Sequence, residues 1–277
     1  MRIVCICDDE TAANCVGSGL MEQHEIPLVI IPDYATKNPK KKKKSRKTGT
    51  LISKAFRELF FKAFPRKATR KKVRDEIHRR GSGKLNLIEN CSNVKSVPTY
   101  AINAQSTADL IDEHDPDILF VCGAPILKQR IFGIPKFGSV NFHFGFSLKY
   151  KGQHSLLWAY NRADHESLGG TFLKIDAGVD TGKPISFVFP EVDHRDSVEA
   201  IEAKLALLAR ENISHAIDVA ANPISRSLKS EAGKQQEEFM VRFADYGPKD
   251  HVVYHIQRFR NQFFRKGRLQ EEKVTVV

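Results

Sequence analysis

Residues 115–123 read DPDILFVCG, and this stretch decides the fold class. The apolar run ILFVC lies between an Asp-Pro turn and a glycine, as expected for a strand buried on both faces of a parallel sheet. The preceding stretch, STADLIDEH, predicts a helix with Ser106 at its N-cap. A helix that leads into a buried strand is the repeating unit of an α/β fold.

The same alternation continues in both directions from this stretch. Towards the N-terminus, RIVCICDDE predicts a strand that ends in an acidic turn, residues 10–23 predict a helix, and IPLVIIPD predicts a second strand. Towards the C-terminus, SVNFHF, LGGTFLKID and KPISFVFPEV predict strands, and HSLLWAYNR predicts a helix. The sequence therefore predicts an α/β fold with a doubly wound, mostly parallel Rossmann-like sheet.

The last third of the chain divides at about residue 221. Asp196 or Ser197 caps a predicted helix whose apolar residues repeat on one face. From Asn222 onward the pattern weakens. We therefore predict a catalytic domain at 1–221 and a small C-terminal extension at 222–277, either an appended subdomain or helices against the main sheet.

The net charge of +11 is concentrated in one inserted segment at about 36–85. Between Lys37 and Arg80 there are 19 Lys and Arg residues against 3 Asp and Glu residues, a local charge of +16. KNPKKKKKSRK predicts a solvated loop, and residues 51–64 predict an amphipathic helix that ends at Pro65. This segment is expected to pack on the protein or to bind an anionic partner or a membrane surface; nucleic acid is less favoured.

Cysteine content and hydropathy indicate a cytoplasmic protein, peripheral at a membrane if the basic segment binds lipid. The five cysteines are odd in number and lack the spacing of a metal knuckle, so we expect no metal. Cys5 and Cys7 are expected to be small core residues of the first strand. No apolar run is long enough to span a membrane, and a strand that begins at Arg2 leaves no room for a signal peptide.

Asn141 and His143 are the first candidates for chemistry. They are two residues apart on a predicted strand, so their side chains project to the same side. They also lie near its carboxyl end, where open α/β sheets bind their ligands. Taken alone, such a histidine is more often structural than catalytic.

The stretch that follows resembles the core of the folate-dependent formyltransferases, which include methionyl-tRNA, glycinamide ribonucleotide and nucleotide-sugar N-formyltransferases. Their pattern is Asn-x-His, a glycine nine residues later, and an Asp-x-Gly-x-Asp-Thr-Gly loop. The pattern falls here on Asn141, His143, Gly152, Asp176, Gly178, Asp180, Thr181 and Gly182. The resemblance covers residues 97–192 well and residues 1–35 loosely.

The resemblance implies a function and a set of site residues. It implies that Asn141, His143 and Asp180 are the catalytic residues and that 10-formyltetrahydrofolate is the formyl donor. The folate is expected to bind along Gly123, Ala124, Pro125, Ile126 and Leu127 and along Ala177, Gly178 and Val179. Tyr150, Gln153 and His154 are expected to face the acceptor, although His154 fits a helix start equally well.

Two departures from the family narrow the acceptor. Phe144, Gly145, Phe146, Ser147 and Leu148 replace the usual Pro-Ser-Leu-Leu-Pro after the histidine, so the floor of the site is expected to differ. The first turn, CDDETA, lacks a glycine-rich phosphate cradle, which disfavours glycinamide ribonucleotide.

The sequence leaves several hypotheses open for the acceptor and for the function. We expect the acceptor to be a small-molecule primary amine, nearest an amino sugar linked to a nucleotide and used in polysaccharide biosynthesis, and the protein to be a homodimer. Methionyl-tRNA is the first alternative acceptor, although methionyl-tRNA formyltransferases carry a C-terminal domain larger than the C-terminal extension of this chain. A formyltetrahydrofolate hydrolase and a membrane- or partner-binding protein with a residual formyltransferase fold are the others.

Overall fold

A computed structural model of the chain describes residues 1–39, 66–83, 85–222, 238–242 and 245–277. The predicted amphipathic helix at 51–64 and most of the lysine-rich loop lie outside these residues. Within the described part of the chain, no helix combines the length and the apolar character needed to cross a bilayer.

The described strands form one large sheet and two small ones. In chain order the strands are β1 (Arg2–Cys7), β2 (Glu25–Asp33), β3 (Val94–Pro98), β4 (Ile118–Cys122), β5 (Ser139–His143), β6 (Tyr150–Gly152), β7 (Gly170–Lys174), β8 (Pro184–Phe189), β9 (Val192–Asp193), β10 (Phe239–Val241), β11 (Arg268–Gln270) and β12 (Lys273–Val276). The large sheet has the order β12-β8-β7-β5-β4-β1-β2-β3. β10 pairs with β6, and β11 pairs with β9.

The large sheet is parallel from β3 through β2, β1 and β4 to β5, and antiparallel from β5 through β7 and β8 to β12. The chain moves outward from β1 to β2 and β3 on one side, and from β4 to β5 on the other. The strand order therefore reverses between β1 and β4. The carboxyl edge at such a reversal is where open α/β sheets bind ligands.

Helices cover both faces of this sheet. They are α1 (Thr11–Ser18), α2 (Arg66–Arg80), α3 (Leu87–Asn90), α4 (Gln105–Asp112), α5 (Gln129–Phe132), α6 (Ser155–Asn161), α7 (Val198–Ala221) and α8 (Pro248–Phe264). One apolar cluster joins α1, α2, α6 and α7 to one face, and a second joins α4 and α5 to the other. The predicted doubly wound, mostly parallel α/β fold is confirmed.

The two predicted helix starts had different outcomes. Ser197 caps α7, because its side chain accepts a hydrogen bond from the backbone N–H of Ala200. The N-cap predicted at Ser106 is wrong, since α4 begins at Gln105 and Ala104 occupies the cap. Thr107 donates its hydroxyl to the Ala101 carbonyl at 2.9 Å and so ties the turn before the helix to its first turn.

The cysteine prediction is confirmed for β1. Cys5 and Cys7 are buried free thiols on one face of the strand, within the cluster that also contains Ile3. Burial holds their pKa values well above the ordinary value. These thiols are packing residues of the core.

Part of the basic insertion is folded against the core. α2 lies between β2 and β3 in the chain and packs on α7. Among the described side chains of α2, Val73 and Ile77, one helical turn apart, are buried in the apolar cluster that joins α1, α2, α6 and α7 to the sheet.

The described residues after Asn222 join the sheets formed by the earlier part of the chain. β12 extends the large sheet beside β8, β10 pairs with β6, and α8 packs on α6. The proposed division at residue 221 stays a prediction.

Candidate active site

Asn141 and His143 lie on β5, between β4 and β7. Asn141 pairs with Val121 on one side and Leu173 on the other, and His143 pairs with Thr171. His143 is 7% exposed, whereas Asn141 is partly exposed. Strand pairing therefore fixes both backbones and leaves the two side chains at the carboxyl end of the strand.

Asp180 meets both of these side chains. Its Oδ2 lies 3.3 Å from Nδ1 of His143, and its Oδ1 accepts a hydrogen bond from Nδ2 of Asn141 at 3.4 Å. The structure thus brings together the three predicted catalytic residues, although they come from positions 39 residues apart in the chain.

Gly152 holds the third bond to Asp180. Its backbone N–H donates to Oδ2 of Asp180 at 2.9 Å. Gly152 has a φ of 101°, and an added Cβ would lie 2.2 Å from the Val241 carbonyl oxygen of β10. A glycine is required here because both the backbone angle and the approach of β10 exclude a side chain.

The loop that carries Asp180 is folded by its own side chains. Asp176 accepts hydrogen bonds from the N–H of Gly178 at 2.9 Å and from the hydroxyl of Thr181 at 2.7 Å. Cβ atoms at Gly178 and Gly182 would collide with the Thr181 hydroxyl and the Lys174 carbonyl, respectively. Asp180 itself has a φ of 51°. This backbone conformation, rare outside glycine, aims the carboxylate at His143.

The other ring nitrogen of His143 also has partners. Nε2 lies 2.9 Å from the Tyr150 carbonyl oxygen and 3.2 Å from the Ser155 hydroxyl oxygen. An added Cβ at Gly145 would lie 2.4 Å from this nitrogen and 2.4 Å from the Ser155 Cβ. Gly145 therefore makes room for the contact between His143 and Ser155.

Thr171 fixes the turn after His143. Its hydroxyl donates to the Gly145 carbonyl at 2.8 Å and accepts from the Ser147 N–H at 3.1 Å. Thr171 and Ser155 were not predicted from the sequence. Their signal was weak, because each is a small polar residue in an otherwise apolar element.

The predicted folate loop follows β4 at the same edge of the sheet. Asn103 pins it by donating to the Ile126 carbonyl at 2.9 Å and accepting from the Lys128 N–H at 2.6 Å. The Tyr34 hydroxyl donates to the Gly123 carbonyl at 3.0 Å. Ile126 is 66% exposed, whereas Leu127 is buried. The loop therefore presents backbone and the Ile126 side chain at this edge, and Leu127 belongs to the core.

The residues predicted to face the acceptor differ in their exposure. The Tyr150 side chain is buried, and its hydroxyl donates to Asp164 at 2.8 Å, so it does not face an acceptor as predicted. Its ring packs against Phe239 of β10 instead. Gln153 and His154 are exposed, and His154 stands at the start of α6 with a φ of 58°. These two remain candidates for an acceptor contact.

Asp8 is a further candidate, which the sequence pattern indicated only as part of an acidic turn. It follows β1, and an added Cβ at Gly123 would lie 2.8 Å from its Cβ. Burial, together with a hydrogen bond to Asp9 and the negative charges of Glu10 and Asp9, raises the pKa of Asp8 from 3.8 to about 7. A carboxyl that titrates near neutrality at the ligand edge of the sheet is a candidate for proton transfer or binding.

A cleft of about 380 Å³ separates this acidic turn from α2, with Asp9, Glu10, Thr11, Arg70, Lys71 and Arg74 along its walls. Arg70 forms an ion pair with Glu10 across it. Across the described ranges, no group of three or more His, Cys, Asp or Glu side chains is arranged to hold a metal ion.

Comparison with known proteins gives the family. Residues 78–217 match the family described as Formyl transferase. A methionyl-tRNA formyltransferase of Geobacter metallireducens is 27% identical over 118 residues, which are 42% of this chain and 38% of that protein. The chain thus spans about two fifths of the length of such curated relatives.

Solved structures share the fold at low sequence identity. A sugar N-formyltransferase from Shewanella sp FDAARGOS_354 superposes with a TM-score of 0.53 at 9% identity, over 100% of this chain and 99% of that chain. A phosphoribosylglycinamide formyltransferase from Anaplasma phagocytophilum gives a TM-score of 0.52 at 13% identity, over 80% of this chain and 87% of that chain. Because the family match spans half of the chain and contains Asn141, His143 and Asp180, the protein belongs to the formyl transferase family.

Proposed function

We propose that this protein transfers a formyl group from 10-formyltetrahydrofolate to a primary amine. The observation that carries the proposal is the position of His143. Its Nδ1 faces the Asp180 carboxylate, and its Nε2 faces the Tyr150 carbonyl. Both partners accept hydrogen bonds, so the arrangement accommodates an imidazolium with a proton on each nitrogen. Such a cation suits the stabilisation of negative charge that develops on a carbonyl oxygen under attack.

The neighbouring residues complete this chemistry. Asn141 contributes an amide donor to the same space. Asp180 stabilises the charge of His143 and accepts the proton that the incoming amine loses as it bonds to the formyl carbon. That proton then passes to the folate nitrogen as its bond to the formyl carbon breaks, so the folate leaves as tetrahydrofolate. A positioned acid or base typically contributes ~10²–10⁴-fold to the rate. Loss of one oxyanion donor typically costs ~10²–10³-fold. These three side chains therefore carry most of the proposed rate enhancement.

The loops beside the triad fit a folate. Gly123, Ala124, Pro125 and Ile126 at the end of β4, and Ala177, Gly178 and Val179 before Asp180, are exposed or partly exposed. Their small or apolar side chains leave backbone groups available to the polar edge of a heterocycle. Leu127 would contribute through its backbone, since its side chain is buried. The folate would supply the formyl carbon to the space in front of His143.

For the acceptor, we favour an amino sugar linked to a nucleotide. Support comes from the extent of the shared fold, which includes the C-terminal residues in the sugar N-formyltransferase but covers 80% of this chain in the phosphoribosylglycinamide enzyme. The exposed side chains of Gln153 and His154 lie where α6 begins, just after β6. We expect the exposed amide of Gln153 to bind sugar hydroxyls, with His154 beside it.

Methionyl-tRNA is a second candidate acceptor. The local similarity to methionyl-tRNA formyltransferases supports it, and so does the charge of α2. α2 carries eight Lys and Arg residues against two acidic residues. A basic helix of this kind is available for phosphate contacts.

A substrate screen tests the proposal. The full chain is incubated with 10-formyltetrahydrofolate and either nucleotide-linked amino sugars or methionyl-tRNA, and products are read by the mass gain of one formyl group. We expect formylation of an amino sugar, with no product from the matched His143→Asn protein. Formylation of the tRNA alone overturns the sugar assignment. Release of formate without any amine points to a hydrolase instead.

A further inference from the structure

The outward face of α8 carries an apolar stripe. Val252, Ile256, Phe259 and Phe263 are each more than half exposed. At about 100° per residue they fall within roughly 60° of the helix circumference. The rings of Phe259 and Phe263 lie against each other, with centroids 4.6 Å apart, and Phe264 extends the cluster at the helix end. An ordered group of large apolar side chains turned towards solvent marks an interaction site.

The opposite face fixes how the stripe is presented. Tyr254 and Asn261 are buried, and Nδ2 of Asn261 donates to the Tyr160 hydroxyl at 3.4 Å. Nδ2 of Asn161 donates to the Asp250 carbonyl at 2.9 Å. α8 is thus held on α6 by its polar and aromatic face. The stripe is the surplus apolar face that this packing leaves outside.

Basic residues flank the stripe. Residues 248–268 contain six Lys and Arg residues and a single acidic residue, Asp250. Lys249, Arg260 and Lys266 are exposed. On the helical wheel, Lys249 and Arg260 follow one border of the stripe. An exposed aromatic stripe bordered by cations is the composition of helices that lie in the headgroup region of an anionic bilayer.

An apolar stripe of this kind fits either a second copy of the chain or a membrane surface. The charges beside the stripe distinguish between these two partners. A symmetric pairing of two copies through α8 brings each flank of Lys249 and Arg260 near its own counterpart, which is repulsive. An anionic membrane matches both features, since it offers apolar acyl chains to the phenylalanines and negative headgroups to the cations. We propose that α8 binds the protein to an anionic membrane surface through Phe259, Phe263 and their basic flank.

Vesicle co-sedimentation of the full chain tests this proposal. Wild-type protein is mixed with phosphatidylcholine vesicles that either contain or lack phosphatidylglycerol, across a salt series. We expect binding to the anionic vesicles, with affinity that falls as salt rises. Phe259→Ser/Phe263→Ser and Lys249→Glu/Arg260→Glu are each expected to weaken binding at least about tenfold.

Controls separate the stripe from other surfaces. The matched variant Tyr100→Ser/Phe137→Ser removes two exposed aromatic residues elsewhere and is expected to bind like the wild type. Thermal melts check that every variant is folded. Absence of binding to anionic vesicles at low salt overturns the proposal, as does binding that survives the phenylalanine changes. A wild-type dimer that the same phenylalanine changes dissociate, in size-exclusion chromatography with light scattering, assigns the stripe to a second copy instead.

Discussion

The Ser155 hydroxyl oxygen lies 3.2 Å from Nε2 of His143, while Asp180 faces the other ring nitrogen. Ser155 is 1% exposed, so it cannot touch a substrate and acts through His143. Together with the Tyr150 carbonyl at 2.9 Å, it fixes the rotation of the imidazole. Ser155 is therefore a positioning residue of the site.

Ser155→Ala is expected to lower kcat with little change in KM. One of the two Nε2 partners is lost, and a hydrogen bond contributes about 0.5–1.5 kcal/mol, so kcat should fall about 2- to 12-fold. Steady-state kinetics across a pH series give kcat, KM and the pH profile. The matched control is Ser214→Ala, a buried serine that donates to the Gly19 carbonyl. Equal kinetics of the two variants would contradict a role at His143.

Gly145→Ala is expected to be more damaging than Ser155→Ala. The new methyl group would lie 2.4 Å from Nε2 of His143 and 2.4 Å from the Ser155 Cβ, so the ring or α6 must move. A displacement of about 1 Å in a catalytic group costs on the order of 10²-fold in rate. In the control Gly247→Ala, the backbone φ of −140° suits an alanine, and the added methyl would lie 3.9 Å from Oδ2 of Asp250, an ordinary van der Waals distance. Unchanged turnover in Gly145→Ala would show that the His143 ring position does not matter.

Replacement of His143 or Asp180 is expected to abolish turnover while folate still binds. His143→Asn and Asp180→Ala should each transfer formyl at less than about a hundredth of the normal rate. The double variant should lose little more, because the two residues act as a unit. Single-turnover kinetics and calorimetric folate titration separate transfer from binding. Near-normal transfer in either single variant would remove that residue from the mechanism.

The sequence predicted the parts of the site that depend on local order along the chain. Asn141 and His143 followed from the two-residue period of a strand, and Asp180 from the loop motif. The environment of Tyr150 was not predictable, because it depends on β10, which pairs with β6 from 89 residues further along the chain. The unusual sequence of the turn after His143 could be recognised, but its structural role could not be predicted. It depends on Ser155 filling the space above Gly145, which is a matter of packing and not of pattern.

The helix start at Ser106 failed for a related reason. Ser, Thr, Asn and Asp all favour the N-cap, and both Ser106 and Thr107 lie in the first turn of α4. The structure uses Thr107 inside the helix, bonded back to the Ala101 carbonyl, and leaves Ala104 at the cap. The backbone path before the helix decides which polar side chain bonds to the turn. The N-cap propensities of single residues carry no information about that path.

Glu202 on α7 is expected to make stability depend on pH. Burial, together with the nearby carboxylates of Glu10 and Glu199, raises the pKa of Glu202 from 4.5 to about 8. Between these two values the folded protein holds a proton that the unfolded chain has lost. The free energy of unfolding therefore falls as pH rises through this window and levels off above it.

Glu202→Gln removes this titration while keeping the size of the side chain. The variant should melt close to the wild type at pH 5 and at least about 2 °C higher than the wild type at pH 8.5. Thermal denaturation followed by circular dichroism at both pH values measures the difference. Glu211→Gln, an exposed change on the same helix, is the matched control and should show no such dependence. If Glu202→Gln instead lowers the melting temperature equally at both pH values, Glu202 stabilises the fold through a hydrogen bond and not through its protonation.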